Sequence, residues 1–279
     1  MLELRVLFTT FVIIPSIVQK RIHGHAEPRF MELLEAFQGY LETGEELGAS
    51  IAVNIDGENV VDVWGGFRTQ DKSENWERDT IVNVFSTTKT ICKTLRDFVA
   101  QEIVGPLGVD FEIGASEEKL ASDISSSKSF SDPFLDPSVV DSLGWREAEI
   151  GSANGYGNAL SIATILSCIS LGGKVNGASL LSNETIDLIF QEQSKRVDLV
   201  IGQKFRFGIG FGLPGNDTDL NWLPEGRVCM WGGYGGSIAI MDIERRLTIS
   251  YTMNKLADVG LGSNRTKAYV GAIYNAIGS

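Results

Sequence analysis

Residues 49–66 have the sequence Ala-Ser-Ile-Ala-Val-Asn-Ile-Asp-Gly-Glu-Asn-Val-Val-Asp-Val-Trp-Gly-Gly, and they contain the clearest structural signal in the chain. Two strand-like runs, 50–55 and 59–64, flank the dipeptide Asp56-Gly57. Asp-Gly favours a two-residue turn between antiparallel strands, because both positions adopt positive φ. The stretch therefore predicts a β-hairpin near the start of a folded domain.

The remaining sequence alternates between helical and strand-like patterns. Residues 28–41 place apolar side chains on one helix face and end near Gly44. Further helices are predicted at 158–171, from Ser182 to about 191, and at 265–277. Strands are predicted at 205–213, 227–231, 237–242 and 247–253, with a turn at 243–246. This order predicts an α+β fold in which strands from both ends of the chain form one antiparallel sheet flanked by helices.

Composition narrows the range of functions. The chain has 279 residues and a net charge of −12, without a cluster of Lys and Arg, so a nucleic-acid-binding surface is not expected. Cys92, Cys168 and Cys229 are widely spaced and are expected to be buried thiols, neither disulfides nor zinc ligands. No cluster of residues has metal-ligand spacing, and we expect no cofactor.

The N-terminus is ambiguous between a signal-like leader and a membrane-associated segment. Residues 6–18 are apolar and follow Arg5, as in a signal peptide, but they are interrupted by Pro15 and are short for a membrane span. We therefore expect an apolar leader at 1–23 followed by a single domain at 24–279. A cytoplasmic location is favoured over a secreted or membrane-associated one.

The scarcity of histidine argues against hydrolases in which a histidine activates the serine or cysteine. The chain has two histidines, His23 and His25, which we expect to precede the folded domain. Serine and cysteine hydrolases that use a histidine base are therefore not expected. A lysine can take the role of that base, and the tetrad Ser86-Thr87-Thr88-Lys89 places one a helical turn from a serine.

The tetrad needs its context, because Ser-x-x-Lys also occurs at Ser116 and at Ser125. Those copies lie in polar, serine-rich sequence, whereas Ser86 follows the apolar run 81–85 and opens a helix-like stretch. A helix N-terminus favours developing negative charge on the serine. A simple helix N-cap is the alternative interpretation of Ser86.

Several motifs occur together in one order: the hairpin at 49–66, Asn-Val-Phe-Ser-Thr-Thr-Lys at 83–89, Gly-Pro-Leu-Gly at 105–108, and Cys-Met-Trp-Gly-Gly at 229–233. With these motifs the chain resembles the serine β-lactamase-like family, more narrowly the esterase branch related to class C β-lactamases and penicillin-binding proteins. The resemblance covers roughly residues 24–278 and implies a β-lactamase/transpeptidase-like fold.

The resemblance also implies a catalytic site. Ser86 would be the nucleophile that forms an acyl-enzyme, and Lys89 its general base. The backbone N–H of Ser86 and one near Tyr234 or Gly235 would form the oxyanion hole. Trp231, Gly232 and Gly233 stand where β-lactamases carry Lys-Thr-Gly, which favours an esterase over a β-lactamase.

One departure from the family affects this expectation. Relatives carry a long helical insert before the "PLG" turn, with a tyrosine that assists proton transfer, whereas here only residues 90–104 separate Lys89 from that turn. The sequence therefore predicts a truncated helical subdomain with an internal deletion near 90–95. Tyr156 follows the "PLG" turn and does not match the catalytic tyrosine.

Three functions remain open from the sequence. The first is a serine hydrolase that cleaves a small ester or amide through an acyl-enzyme on Ser86. The second is an acyltransferase of secondary metabolism, which would share that intermediate. The third is a catalytically inactive scaffold, favoured by the deletion. Ser237 is expected to be structural, and Asp242 is expected to lie in a solvated turn.

Overall fold

A computed structural model describes residues 22–90, 99–113, 124–125, 139–140, 142–148, 150–199, 202–257 and 261–278. Its strands are β1 (Ile22–Ala26), β2 (Gly48–Ile55), β3 (Glu58–Gly66), β4 (Val82–Asn83), β5 (Phe111–Ile113), β6 (Ile124–Ser125), β7 (Gly155–Gly157), β8 (Lys174–Val175), β9 (Ala178–Ser179), β10 (Ser194–Val197), β11 (Lys204–Phe207), β12 (Gly212–Leu213), β13 (Val228–Gly232), β14 (Ile238–Asp242), β15 (Leu247–Met253) and β16 (Lys255–Leu256). Its helices are α1 (Met31–Thr43), α2 (Leu143–Glu147), α3 (Ala159–Ser170), α4 (Asn183–Ile189) and α5 (Asn264–Ala276). Shorter helical turns occupy Pro28–Phe30, Phe85–Thr90, Ala100–Val104, Gly105–Leu107 and Tyr234–Gly236.

A nine-stranded sheet dominates the fold, with the order β1-β3-β2-β15-β14-β13-β12-β11-β10 and antiparallel pairing throughout. Strand β2 pairs along its length with β15, so that Ile51 lies opposite Tyr251. The predicted sheet from both ends of the chain is therefore confirmed. A separate three-stranded sheet, in the order β4-β7-β5, carries the segment that leads to Ser86.

The predicted hairpin forms the second and third strands. Asp56 and Gly57 adopt φ values of 53° and 88°, as the two-residue turn requires. The Asn54 side chain accepts a hydrogen bond from the Gly57 N–H at 3.2 Å, which supports the turn.

Helices cover both faces of the large sheet. Helices α1 and α5 pack on one face, and α3 packs on the other. Strand β14 shows the division, because Ile240 contributes to the core under α1 and α5, whereas Ala239 and Met241 face the core that contains α3. This alternation follows from the two-residue period of a strand.

The prediction of one continuous strand at 205–213 is wrong. The chain forms β11, turns at residues 208–211, and returns as β12. The turn closes with a hydrogen bond from the Gly208 N–H to the Phe211 carbonyl at 2.9 Å. A Cβ on Gly208 would lie 1.9 Å from the Ile189 carbonyl oxygen, so only glycine fits this close approach.

The expected position of the histidines ahead of the domain is also wrong. His23 and His25 lie in β1, which pairs with β3 at one edge of the sheet. The His25 ring bonds the Asn59 carbonyl at 2.8 Å, and His23 stacks on Trp64 with ring centroids 6.3 Å apart. Alternating hydrophobicity is weak in this polar edge strand, which explains why sequence pattern missed it. Of the predicted leader at 1–23, residues 1–21 lie outside the described residues, as do residues 91–98 of the helix-like stretch that follows Ser86.

Asp242 is not solvated, contrary to expectation. Its side chain is fully buried, accepts a hydrogen bond from Arg245 Nη1 at 2.9 Å, and lies 3.3 Å from the Tyr274 hydroxyl. The sequence pattern predicts a solvated turn here, but α5 brings Tyr274 to this end of β14. Burial of a carboxylate is tolerated where a cation and hydroxyl satisfy it.

A second buried ion pair joins α1, β15 and α5. Glu46 follows α1, and its carboxylate accepts a hydrogen bond from Arg265 Nη1 at 2.6 Å and from the Tyr251 hydroxyl at 2.6 Å. Desolvation raises the pKa of Glu46 to about 7, against the opposing attraction of Arg265. Breaking such a pair by removing one partner is strongly destabilising.

We predict that Arg265→Met lowers the free energy of unfolding by about 3–5 kcal/mol at pH 8. The loss should be smaller at pH 5, because Glu46 is protonated there and tolerates burial without a cation. The sign follows from the raised pKa of Glu46, which makes its contribution to stability greatest at acidic pH and reduces it as the pH rises through 7. Urea unfolding at the two pH values tests this. Arg29→Met, which removes an exposed pair with Glu27, is the control and should change little. Equal losses at both pH values would contradict the role assigned to Glu46.

Candidate active site

Ser86 lies in a short 3-10 helix, Phe85–Thr90, which directly follows β4 and Val84. We call this segment the nucleophile turn. The Ser86 side chain is half-buried, while Phe85, Thr87 and Thr88 around it are buried. The sequence predicted a longer helix here; residues 91–98 lie outside the described residues. The copies of Ser-x-x-Lys at Ser116 and Ser125 also fall outside them, apart from the backbone of Ser125.

The Ser86 hydroxyl and the Lys89 ammonium are in direct contact. Lys89 Nζ lies 2.6 Å from Ser86 Oγ and donates a second hydrogen bond to the Ser152 carbonyl oxygen at 2.8 Å. Much of the Lys89 side chain is exposed, yet partial desolvation lowers its pKa below the usual value. A lower pKa raises the fraction of neutral amine, which is the form able to accept the serine proton.

Strand β7 holds the nucleophile turn on one side. The Val84 N–H donates to the Gly155 carbonyl at 3.0 Å, and the Gly155 N–H donates to Thr88 Oγ1 at 2.8 Å. A Cβ on Gly155 would lie 2.7 Å from that same oxygen. Gly155 is therefore needed for the close approach of β7 to the residues that carry Ser86 and Lys89.

Phe85 has an unusual backbone conformation next to the nucleophile. Its φ is 44°, in the left-handed region that non-glycine residues rarely adopt. The Asn83 side chain accepts a hydrogen bond from the Phe85 N–H at 2.9 Å, and the Phe85 ring packs edge-on against Tyr234 at 5.6 Å. Such strain costs about 1–3 kcal/mol and is often found where a functional side chain must be held in place.

The Trp-Gly-Gly motif lies on the other side of the nucleophile turn. Trp231 and Gly232 end β13, and Gly233 begins the turn into β14. A Cβ on Gly233 would lie 2.2 Å from the Val84 carbonyl oxygen, so the two segments are in backbone contact. The structure thus brings together the nucleophile segment and the segment predicted to form the oxyanion hole.

Ser237 connects the same two segments. Its hydroxyl donates to the Val84 carbonyl at 3.2 Å and lies 3.3 Å from Thr87 Oγ1. Its carbonyl accepts a hydrogen bond from the Gly233 N–H at 2.8 Å. Ser237 is buried, so these contacts fit the structural role expected for it.

Gly235 fixes the path of the turn that carries the expected oxyanion donor. Its φ is 85°, and a Cβ there would lie 2.9 Å from Leu256 Cα. The Ala257 N–H donates to the Gly235 carbonyl at 2.8 Å. Leu256 of β16 and the following Ala257 therefore pack against this turn.

Aromatic side chains surround the end of β13. The Trp231 ring lies 5.6 Å from Phe207 and 6.2 Å from Phe205, measured between ring centroids. Trp231 and Phe207 are partly exposed. They present an apolar surface where β-lactamases of the resembled family carry a lysine.

Tyr156 lies in β7. Its side chain is buried, and its hydroxyl donates to the Val140 carbonyl at 3.0 Å. Sequence reasoning missed the Ser152 carbonyl, because a backbone acceptor gives no residue-type signal.

The described residues lack two features. They contain no group of three or more His, Cys, Asp or Glu side chains placed to hold a metal ion. Among these residues, too, no helix combines the length and the apolar character needed to cross a membrane.

Comparison with known proteins assigns the family. The family model described as Beta-lactamase matches residues 33–95 and 92–270. A segment of 76 residues is 36% identical to the esterase/beta-lactamase LipL of Mycobacterium tuberculosis, covering 27% of this chain and 18% of that protein. The matched part is therefore less than a fifth of LipL.

Solved structures share the fold. The crystal structure of a family VIII carboxylesterase superposes with a TM-score of 0.82 at 22% identity, over 91% of this chain and 99% of that one. A penicillin-binding protein homologue from Caulobacter crescentus gives a TM-score of 0.78 at 21% identity, over 91% of this chain and 99% of that one. At these identities the likeness concerns the fold, whereas the family model spans most of the sequence. The chain is a member of the beta-lactamase family.

Proposed function

We propose that this protein is a serine hydrolase of the esterase type, which cleaves a small ester through an acyl-enzyme on Ser86. The observation that carries the proposal is the 2.6 Å contact between Ser86 Oγ and Lys89 Nζ. A nucleophile and a base at this distance can exchange a proton without rearrangement. The family membership and the esterase in the name of LipL support the same chemistry.

In the proposed reaction, neutral Lys89 accepts the Ser86 proton as Oγ attacks the ester carbonyl carbon. The carbonyl oxygen becomes an oxyanion, which backbone N–H groups of Ser86 and of the turn at Tyr234 and Gly235 would stabilise. Collapse of this intermediate expels the alkoxide, and the Lys89 ammonium returns a proton to it. Water then attacks the acyl-enzyme carbonyl carbon and gives a proton to Lys89. The second tetrahedral intermediate breaks the bond to Ser86 Oγ, the Lys89 ammonium returns the proton to that oxygen, and the carboxylic acid leaves.

The surroundings of the site favour an ester with an apolar acyl or alcohol group. Trp231 and Phe207 offer an aromatic surface in place of the lysine that would pair with the carboxylate of a β-lactam. A substrate that carries an anionic group next to the scissile bond would lose hydration there without gaining a cation.

The missing insert favours esters over amides. The family model matches in two segments that overlap at 92–95, which supports the deletion predicted from the sequence. Loss of the tyrosine leaves the Lys89 ammonium without the family's second proton-transfer group, at a cost of roughly a hundredfold or more in rate for leaving groups that must be protonated. An amide needs its leaving nitrogen protonated, whereas a phenolate leaves without a general acid. Aryl esters are therefore the substrates least affected.

We predict that a fluorophosphonate labels Ser86 and that Ser86→Ala abolishes the labelling. Intact-mass spectrometry measures the adduct. Ser116→Ala and Ser125→Ala, which alter the other two Ser-x-x-Lys tetrads, are matched controls and should label normally. Labelling that survives in Ser86→Ala would disprove the assignment, and a folded protein that is never labelled would favour an inactive scaffold.

We predict that the rate of labelling rises with pH and levels off at an apparent pKa below 10.5, because Lys89 must be neutral and its pKa is lowered by desolvation. Lys89→Arg remains protonated and should label roughly 10²–10⁴-fold more slowly. The labelling rate between pH 6 and 10 gives both results. An unchanged rate in Lys89→Arg would exclude Lys89 as the base.

We predict that Gly235→Ala lowers kcat for an aryl ester by roughly 10²–10³-fold, because the added Cβ meets Leu256 and displaces the oxyanion turn. Gly271→Ala is the control, since a Cβ at Gly271 meets nothing within 4 Å. Steady-state kinetics test this, with a thermal melt of each variant. An unchanged kcat would place the oxyanion hole elsewhere.

A further inference from the structure

Asn154 lies in a turn whose backbone hydrogen-bonds Lys89. The side chain of Asn154 hydrogen-bonds the backbone instead of Ser86 or Lys89. The side chain of Asn154 is completely buried. Its Nδ2 donates to the Trp145 carbonyl at 3.0 Å and also to the Ala148 carbonyl, and its Oδ1 accepts from the Ile150 N–H at 2.9 Å. One amide thus satisfies three backbone groups between the end of α2 and the turn at 150–155.

The backbone of the turn is closed by the same residues. The N–H groups of Ala153 and Asn154 both donate to the Ile150 carbonyl, at 2.9 and 3.1 Å. This turn presents the Ser152 carbonyl oxygen to Lys89 Nζ at 2.8 Å. Directly after the turn, Gly155 bonds Val84 and Thr88 on either side of Ser86. The 150–155 turn therefore contacts the nucleophile segment both before and after the serine.

The Ser152 carbonyl can stabilise Lys89 after it has accepted a proton. Lys89 becomes an ammonium ion when it takes the serine proton, and a carbonyl oxygen accepts a stronger hydrogen bond from an ammonium than from a neutral amine. With Ser86 Oγ at 2.6 Å and Ser152 O at 2.8 Å, two acceptors fix the direction of the flexible lysine side chain. Holding the base in this way matters more where the family's tyrosine is missing.

We propose that Asn154 is a positioning residue for the general base: it closes the 150–155 turn so that the Ser152 carbonyl holds Lys89 against Ser86. The inference rests on the proposed function, in which Lys89 is that base. It assigns a role to a residue two positions from Ser152 that contacts neither Ser86 nor Lys89 through its side chain. The contribution of Ser152 itself comes from its backbone, so the side chain of Ser152 is dispensable.

Opening the turn should change the protonation of Lys89. In the intact site the surroundings lower the pKa of Lys89, chiefly by desolvation. When the turn moves away, water replaces both the covering atoms and the carbonyl, and the pKa rises toward the value of an exposed lysine. Less neutral amine is then present at neutral pH, so Ser86 reacts more slowly and its pH profile moves to higher pH.

The test compares Asn154→Ala with Asn216→Ala, which removes an exposed asparagine bonded to Glu225. Competitive labelling with acetic anhydride across pH 6–11, read by peptide mass spectrometry, gives the pKa of Lys89 in each protein and requires no turnover. We expect Asn154→Ala to raise the pKa of Lys89, to shift the pH profile of fluorophosphonate labelling in the same direction, and to slow labelling at pH 7 roughly tenfold or more. Asn216→Ala should match the unmodified protein in all three measurements.

The outcomes separate this inference from the proposed function. A folded Asn154→Ala with an unchanged pKa of Lys89 overturns the inference, even if Ser86 is labelled. A shifted pKa in a protein whose Ser86 is never labelled supports the positioning role and refutes the hydrolase. If Asn154→Ala does not melt cooperatively, Asn154→Ser, which keeps one donor for the two carbonyls, is measured in its place. If neither variant folds, Asn154 serves the fold rather than Lys89, and the inference is wrong.

Discussion

The backbone of Val84 is the point on which the site depends. Its N–H donates to Gly155 of β7, and its carbonyl accepts from the Ser237 hydroxyl and leaves no space for a side chain at Gly233. The backbone of this one residue thus links the small sheet, the nucleophile turn and the start of β14. Because Ser86 is two residues away, its position relative to the Tyr234 turn is set by these contacts rather than by its own side chain.

The close backbone contacts around Ser86 leave no space for side chains larger than hydrogen at several glycines. Gly155, Gly233 and Gly235 each lie where a Cβ would meet a neighbouring atom at 2.9 Å or less. Packing this tight leaves little freedom for the nucleophile turn, which also contains the left-handed Phe85. The large sheet provides the rigidity for this, since β13 and β14 lie inside it with pairing partners on both sides.

Two ion pairs with buried carboxylates contrast with the partly exposed Lys89, the proposed general base. Glu46 with Arg265, and Asp242 with Arg245, are ion pairs in which the carboxylate is fully covered. Lys89 keeps access to solvent and has neutral oxygen acceptors, the Ser86 hydroxyl and the Ser152 carbonyl. A lysine without a carboxylate partner remains easier to deprotonate, as a general base requires.

The sequence alone determined the hairpin at Asp56-Gly57, the start of α4 after Ser182, and the Ser86–Lys89 pair, because each depends on residues close together in the chain. Periodicity missed β1 and the break between β11 and β12, where pairing partners and the Ile189 carbonyl decide the backbone path. Only the tertiary structure revealed the burial of Asp242, the Val84 contacts and the Ser152 carbonyl next to Lys89. The physical reason is that these features depend on contacts between residues more than 25 positions apart in the chain, such as Lys89 with Ser152, Val84 with Ser237, and Asp242 with Tyr274. The type of a residue does not indicate which distant backbone atom or buried group it will contact.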